Sequence, residues 1–314
     1  ADEMREYYFF SLLPVFILLS VIFILLLAFL SLRLVYAFLS IFFVLLYSLQ
    51  HLLHIVLRHL ILILLIFLVL FLILVLPFLG SLCAALLPTN ARNAEAWLAG
   101  IVAASVSALI LWQLPAIETN GTLYYEQIWS PTLKIAFQLR MDGFAWLFAL
   151  LVALIGLLVV FYARYYMSAE DPVPRFFAFL LAFMGAMLGI VLSGNLLQLA
   201  MFWELTSLAS FMLIAYWHHL PVARDSARMA LIVTGSGGLC LLAGLLLIGH
   251  MAGSYDLDVV LASADVIRNH ALYPPALILV LLGAFTKSAQ VPFHFWLPSA
   301  MTAPTPVSAF LHSA

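Results

Sequence analysis

The sequence predicts an all-α fold: a polytopic transmembrane helix bundle with a discontinuous helix near residues 275–310. Three observations carry that prediction. Of 314 residues, 67% are hydrophobic and 8% are charged, against about 25% charged in an ordinary soluble domain. Apolar runs of roughly 20 residues recur along the chain, each long enough to cross a hydrocarbon core of about 30 Å. They are continuous and lack the alternation of membrane strands, and in lipid a helix satisfies its own backbone groups where an open sheet does not. Net charge is −2, with neither a basic block nor an acidic tail, so nucleic acid is not an expected partner.

From Leu12 to about Leu79 the chain is almost a monotone of Leu, Ile, Phe and Val, broken by Arg33 and by "QHLLHIVLRHL" at 50–60. Spans are expected at 12–32, 34–49 and 66–87. The N-terminal "ADEMREYYFF" is acidic where a secretory signal is basic, so no cleaved signal is read. His51, His54, Arg58 and His59 have i, i+3, i+7, i+8 spacing and share one helix face. Lacking a nearby carboxylate or cysteine, they read as an interfacial basic face rather than a metal or haem site. Cys83 and Cys240 lie inside apolar runs and read as small buried hydrophobes.

Beyond about residue 80, Gly, Pro, Trp, Ser and Thr are interleaved, as where membrane helices pack through small residues. Further spans are expected at 97–115, 143–163, 176–193, 196–217, 229–250 and 275–290, with another helix starting near Thr305. The polar stretch 117–142 reads as an interfacial connection, anchored at headgroup level by Tyr124, Tyr125 and Trp129. Alternate connections carry Arg92, Arg164, Arg175, Arg224 and Arg228 on one side and Lys134, Arg140 and Arg268 on the other. That excess places the first set in the cytoplasm. The glycines of "VTGSGGLCLLAG", 233–244, lack the strand and lysine of a phosphate cradle and read as close helix packing.

Two ionisable residues stand in mid-span. Glu204 is ninth in its predicted helix, about 13 Å in, and Lys287 lies about 18 Å past Pro275. Charges at such depth turn inward and mark ion or proton paths. A static buried salt bridge that fixes packing is the plainer alternative. In the proton-relay reading, burial disfavours both charges and mutual attraction favours them, so protonation follows their separation. Pro292 denies Ser288 its i→i−4 hydrogen bond, which should break the helix just beyond Lys287. Broken helices at membrane depth line cavities in transporters. His312 is the better further relay candidate and His294 reads as interfacial. Arg228 either reaches inward to Glu204 or snorkels to the cytoplasm.

"FWELTSLASFMLI" at 202–214, "TKSAQVPFHFWLPSAMTAPTPVSAFLHSA" at 286–314 and the 83-residue interval from Glu204 to Lys287 closely resemble the large A subunit of Mrp-type multisubunit sodium/proton antiporters. The wider family includes the antiporter-like membrane subunits of respiratory complex I. The resemblance covers about residues 66–314 and leaves 1–65 as an apolar segment of other origin with one or two membrane helices. It implies a proton-translocating subunit of a monovalent cation/proton antiporter, a transporter rather than an enzyme, without a cofactor. Its partners would be the other membrane subunits, and its place a bacterial inner membrane. Glu204, Lys287 and His312 match the family's translocation residues, with Arg228 and His294 as accessory candidates. Where family members often carry a lysine after the glutamate helix, this chain reads Arg228-Met229. Its end at Ala314 falls in mid-helix, so the later half of the family's unit is expected to be absent. A proton-pumping subunit of a complex I-type NADH:quinone oxidoreductase remains the main alternative. A membrane anchor or haem-binding cytochrome built on the histidines at 51–59 is a third.

Overall fold

The computed structural model describes residues 2–88, 92–130, 135–168 and 171–313. Contacts divide the chain into two compact units, 1–64 and 65–314. The first helix, α1, runs Asp2–Leu86, so the breaks expected between 12–32, 34–49 and 66–87 are absent, while the last of these spans is matched by the membrane-capable segment Leu64–Leu86. Arg33 and the polar patch at 50–60 interrupt hydrophobicity but contain neither proline nor glycine, and Arg, Gln and Leu are good helix formers. In the first unit, His51, His54 and Arg58 are exposed and Tyr47 packs against His51 with ring centroids 5.8 Å apart. The side chain of His59 lies outside the described residues.

In the second unit the helices follow in order: α2 Arg92–Trp112, the unexpected short α3 Leu114–Asn120, and then the expected α4 Gly143–Tyr166, α5 Val173–Val191, α6 Leu196–Ile214 and α7 Pro221–Ala252. The starts of α3 to α7 have local causes. The Asp142 carboxylate accepts from Ala145 N at 2.8 Å and caps α4, and the Asn195 side chain accepts from Leu197 N at 2.9 Å and caps α6, satisfying first-turn donors. Proline occupies the first turn of α3, α5 and α7, where its missing N–H costs nothing. Gly253, at φ 73°, ends α7 in the left-handed conformation. Among the described residues six helical segments, Leu64–Leu86 through Pro221–Ala252, are long and apolar enough to cross a membrane. Most of α5 is buried, so it forms the bundle's centre, with Phe176 edge-on to Phe177 and Tyr216.

Two features differ from expectation. The stretch 117–142 holds α3 and an antiparallel hairpin, β1 Thr122–Ser130 with β2 Ile135–Asp142, in register Tyr124↔Arg140 and Glu126↔Gln138. Its alternation of β-branched, aromatic and polar residues is a strand pattern that reads equally as an interfacial loop. Tyr124 donates to Asp256 at 2.9 Å, and the Tyr125 ring lies 3.9 Å from that of Phe67. Two of the three expected headgroup anchors are thus engaged by protein; the side chain of the third, Trp129, and all of Lys134 lie outside the described residues. The connection 251–274 contains two short helices, α8 Leu257–Ala262 and α9 Ala264–Arg268.

The two sets of connections sort to opposite ends. Leu139 bridges Ser193, Asn195 bridges Asp256, and Arg140 reaches Asp258 at 2.8 Å. At the other end Arg92 donates to the Arg164 carbonyl, Trp217 to Asp171 at 3.0 Å, and Arg175 lies 3.2 Å from His218.

The last expected span is shorter than a membrane crossing: α10 covers Tyr273–Lys287. A 3₁₀ turn at Phe293–Phe295, α11 Trp296–Ala300 and α12 Thr305–Ser313 follow. The helix stops at Lys287, five residues before Pro292, and Ala289 adopts φ 51°. The discontinuity expected from Pro292 is present, and the chain leaves helical geometry ahead of the ring.

Candidate functional site

The site lies where α6, α7 and α10 meet. With Asn195 fixing its start, α6 presents Trp203, Glu204, Thr206 and Ser207 within little more than one turn. Beside them α7 is stripped to glycine. A Cβ on Gly238 would collide with Glu204 Oε1, and one on Gly237 with Thr286 Oγ1. The Glu204 carboxyl therefore lies directly on the α7 backbone. Across from Gly237, Gly283 of α10 would carry its Cβ 2.8 Å from the Gly237 carbonyl oxygen, so bare backbones set the α7–α10 approach.

Lys287 is the last residue of α10. Beyond it the Trp296 indole donates to the Thr286 carbonyl at 2.9 Å, Ser288 N to Ala284 O at 2.9 Å and Gln290 N to Phe285 O at 2.9 Å. Carbonyls that the missing turn would orphan are thereby satisfied. The Lys287 ammonium donates to Thr206 Oγ1 at 2.8 Å and to Ser207 Oγ at 3.0 Å, and lies 5.6 Å from the Trp203 ring centroid. Thr206 and Ser207 are fully buried. Lys287 also lines a cavity of about 420 Å³ with Trp203, Ser210, Thr234, Ser288 and Trp296 among its walls.

Glu204 and Lys287 interact electrostatically, yet no ion pair closes between them: the ion pairs among the described residues are Arg140–Asp142, Arg140–Asp258 and Arg228–Asp225. Glu204 Oε1 and the Trp203 indole nitrogen are buried without a hydrogen-bond partner. Both groups face the junction of α6, α7 and α10 without forming an ion pair, in surroundings whose low dielectric makes small displacements matter.

The other sequence candidates are placed differently. Arg228 has a side chain 68% exposed and lies 3.6 Å from Asp225. Ten residues, or about 15 Å of helix, separate it from Gly238, where Glu204 rests. His294 is exposed in the 3₁₀ turn, and His312 is exposed near the end of α12, although its neighbour Leu311 lines the lysine cavity. Among the described residues no group of three or more His, Cys, Asp and Glu side chains converges in a way that holds a metal.

Two features escape sequence reading. The Thr206 and Ser207 hydroxyls stand in the quoted "ELTSL" run, but only packing shows that they face Lys287. Glu95, in the first turn of α2, is wholly buried with both carboxyl oxygens unpartnered. Its signal is a lone acid in the "AEAWLAG" opening of an apolar span. At the hairpin end, burial works against the Asp142 charge, but the hydrogen bonds from Ala145 N and Arg140 outweigh it and hold the carboxyl below its ordinary range.

Residues 193–314 match the family described as NADH:quinone oxidoreductase/Mrp antiporter, TM, and residues 128–177 match NADH-Ubiquinone oxidoreductase (complex I), chain 5 N-terminus. The chain is 61% identical over 240 residues to the A/B subunit of a probable K(+)/H(+) antiporter of Rhizobium meliloti (strain 1021), covering 76% of this chain and 24% of that protein. It is 45% identical over 238 residues to the putative antiporter protein mnhA2 of Staphylococcus aureus (strain MRSA252), covering 74% and 30%. Among solved structures it resembles a chain of the Mrp complex from Dietzia sp. DQ12-45-1b, with TM-score 0.70, 33% identity and coverage of 78% and 26%. It shares its fold with a chain of an archaeal membrane-bound sulfane sulfur reductase, with TM-score 0.65, 20% identity and coverage of 76% and 49%. The chain thus spans about a quarter to a third of the curated relatives' length.

Proposed function

We propose that this chain, whose residues 193–314 match the NADH:quinone oxidoreductase/Mrp antiporter family and which resembles the Mrp A-type subunit, is a proton-translocating part of a multisubunit monovalent cation/proton antiporter. The observation that carries this reading is the open pair at the helix break: Lys287 rests on two neutral hydroxyls while the Glu204 carboxyl lies against Gly238. Each group stabilises the other's charge when they close, and desolvation opposes it when they part. Proton occupancy therefore follows separation, the property a relay needs and a static salt bridge lacks.

In this reading protons move along Glu204, Lys287 and His312, and the altered charge biases cation release elsewhere in the complex. Residues 66–314 form the antiporter-like part, and 1–65 a separate apolar segment; both family matches fall between 128 and 314. The bacterial sources of the curated relatives favour an inner-membrane location, with the Arg92, Arg164, Arg175 and Arg224 end in the cytoplasm. Relatives named for potassium and for an Mrp complex leave the cation at the class of monovalent ions.

The test is dye-reported exchange in inverted vesicles containing the complete complex, wild type against Lys287→Ala, with sodium or potassium added after a respiratory proton gradient forms. Cation-driven dissipation in the wild type alone supports the reading. Equal responses reduce Lys287 to a structural charge. The complex I-type reading draws on the match at 128–177; flavin or iron–sulfur subunits in the purified complex would favour it.

A further inference from the structure

We infer that Thr206 and Ser207 are positioning residues that form a neutral seat for the Lys287 ammonium, an alternative to the Glu204 carboxylate. The inference rests on the proton-relay reading above and names what holds its pair apart. Both hydroxyls are fully buried and both are oriented by the same backbone atom. Thr206 Oγ1 donates to the Trp203 carbonyl at 2.7 Å and Ser207 Oγ donates to it at 3.4 Å. With its hydrogen committed to a carbonyl, each hydroxyl turns a lone pair outward. Lys287, a donor without acceptors when charged, takes one from each at 2.8 and 3.0 Å, and the face of Trp203 lies beside it.

The seat and the carboxylate are offered by the same helix, two and three residues apart. In this inference the ammonium, carried on a flexible four-carbon stem, exchanges between the two. The seat satisfies its hydrogen bonds but supplies no negative charge, whereas the carboxylate supplies both. Occupying the seat therefore keeps the lysine hydrogen-bonded while it is uncoupled from Glu204, the condition in which it hands on a proton. Without the hydroxyls, an open lysine would face an apolar wall, and the pair would close.

Among the described residues Glu204 of α6 is the charged group acting on Lys287. Around the lysine cavity α7 contributes Thr234, the residues after α10 contribute Ser288 and Trp296, and α12 contributes Leu311, none of which titrates. His294 and His312 are exposed. A change in the pH profile on altering the hydroxyls would thus report the lysine–glutamate pair.

The experiment measures exchange against pH in vesicles holding the complete complex, for Thr206→Val, Ser207→Ala, their combination, and Thr206→Ser. Losing hydrogen bonds to a charged donor implies about a tenfold fall in turnover at the wild-type optimum. It also implies an optimum displaced toward alkaline pH in the combined variant, with half-saturating cation concentration unchanged. Thr206→Ser, which keeps the hydroxyl, should return the profile to within about twofold of wild type. A combined variant, or either single variant if the combination does not insert, whose profile keeps the wild-type shape overturns the seat, whatever its overall rate. Lys287→Ala measured in parallel separates the two ideas. If Lys287→Ala still exchanges, the relay reading has failed; if it is silent while the hydroxyl variants keep the wild-type profile, only the seat has.

Discussion

Gly238→Ala is a one-methyl test of where the glutamate must sit. In the structure an added Cβ collides with Glu204 Oε1 and lies 2.8 Å from Glu204 Cδ and 3.3 Å from Trp203 Cδ1. Restoring an ordinary carbon–carbon separation of about 3.5 Å moves the carboxyl by roughly 1 Å, and Oε1 by more. The side chain is flexible at its end, so the helices need not separate, and alanine gains about 1 kcal/mol of helix propensity over glycine. Insertion and thermal stability should therefore be unchanged or slightly better. A misplacement of this size at a proton-transfer group costs on the order of 100-fold, so exchange in vesicles should fall by about 10- to 100-fold. Gly235→Ala is the matched control, since nothing lies within 4 Å of a Cβ there, and it should exchange as wild type. Wild-type exchange by Gly238→Ala would refute the argument that the carboxyl's rest against α7 matters. Equal losses in both variants would point to the helix as a whole.

Arg228→Ala should leave exchange within about twofold of wild type in the same vesicles, because an exposed pair such as Arg228–Asp225 contributes little. Trp296→Phe removes the donor to the Thr286 carbonyl and should destabilise the protein by about 1–2 kcal/mol, read as a lower melting temperature in detergent. Asp142→Ala removes both the cap of α4 and a partner of Arg140 and should cost about 1 kcal/mol or more. Since the folded-state carboxyl of Asp142 is held below its ordinary value, its contribution is present above the ordinary carboxylate range and is lost as pH falls through the lower folded-state value. The wild type should therefore lose stability on acidification more steeply than Asp142→Ala, and parallel pH curves would contradict this.

Much of the fold was legible because membrane helices are dictated by local rules. Continuous apolar runs mark the spans, whereas the caps at Asp142, Asn195 and Gly253 came only with the structure. The break after Lys287 was legible from Pro292, although the helix ends at Lys287 itself, with Ala289 already at positive φ. Two features were not legible. Arg33 and the 50–60 patch change polarity without breaking the backbone, so α1 continues through them. The 122–142 hairpin depends on strand pairing and on side-chain anchors to Asp256 and Phe67, which lie far away in sequence.

For the site, sequence alone singled out Glu204 and Lys287 as ionisable residues within apolar runs, because the cost of burying a charge makes such residues visible without coordinates. It could not determine that the two stay unpaired, that the carboxyl rests on Gly238, that Thr206 and Ser207 receive the lysine, or that Arg228 turns outward. Those outcomes depend on the rotation and separation of α6, α7 and α10. Helix periodicity fixes which residues share a face of one helix, whereas contact between helices is set by ångström-scale packing, here by bare backbone at Gly237, Gly238 and Gly283.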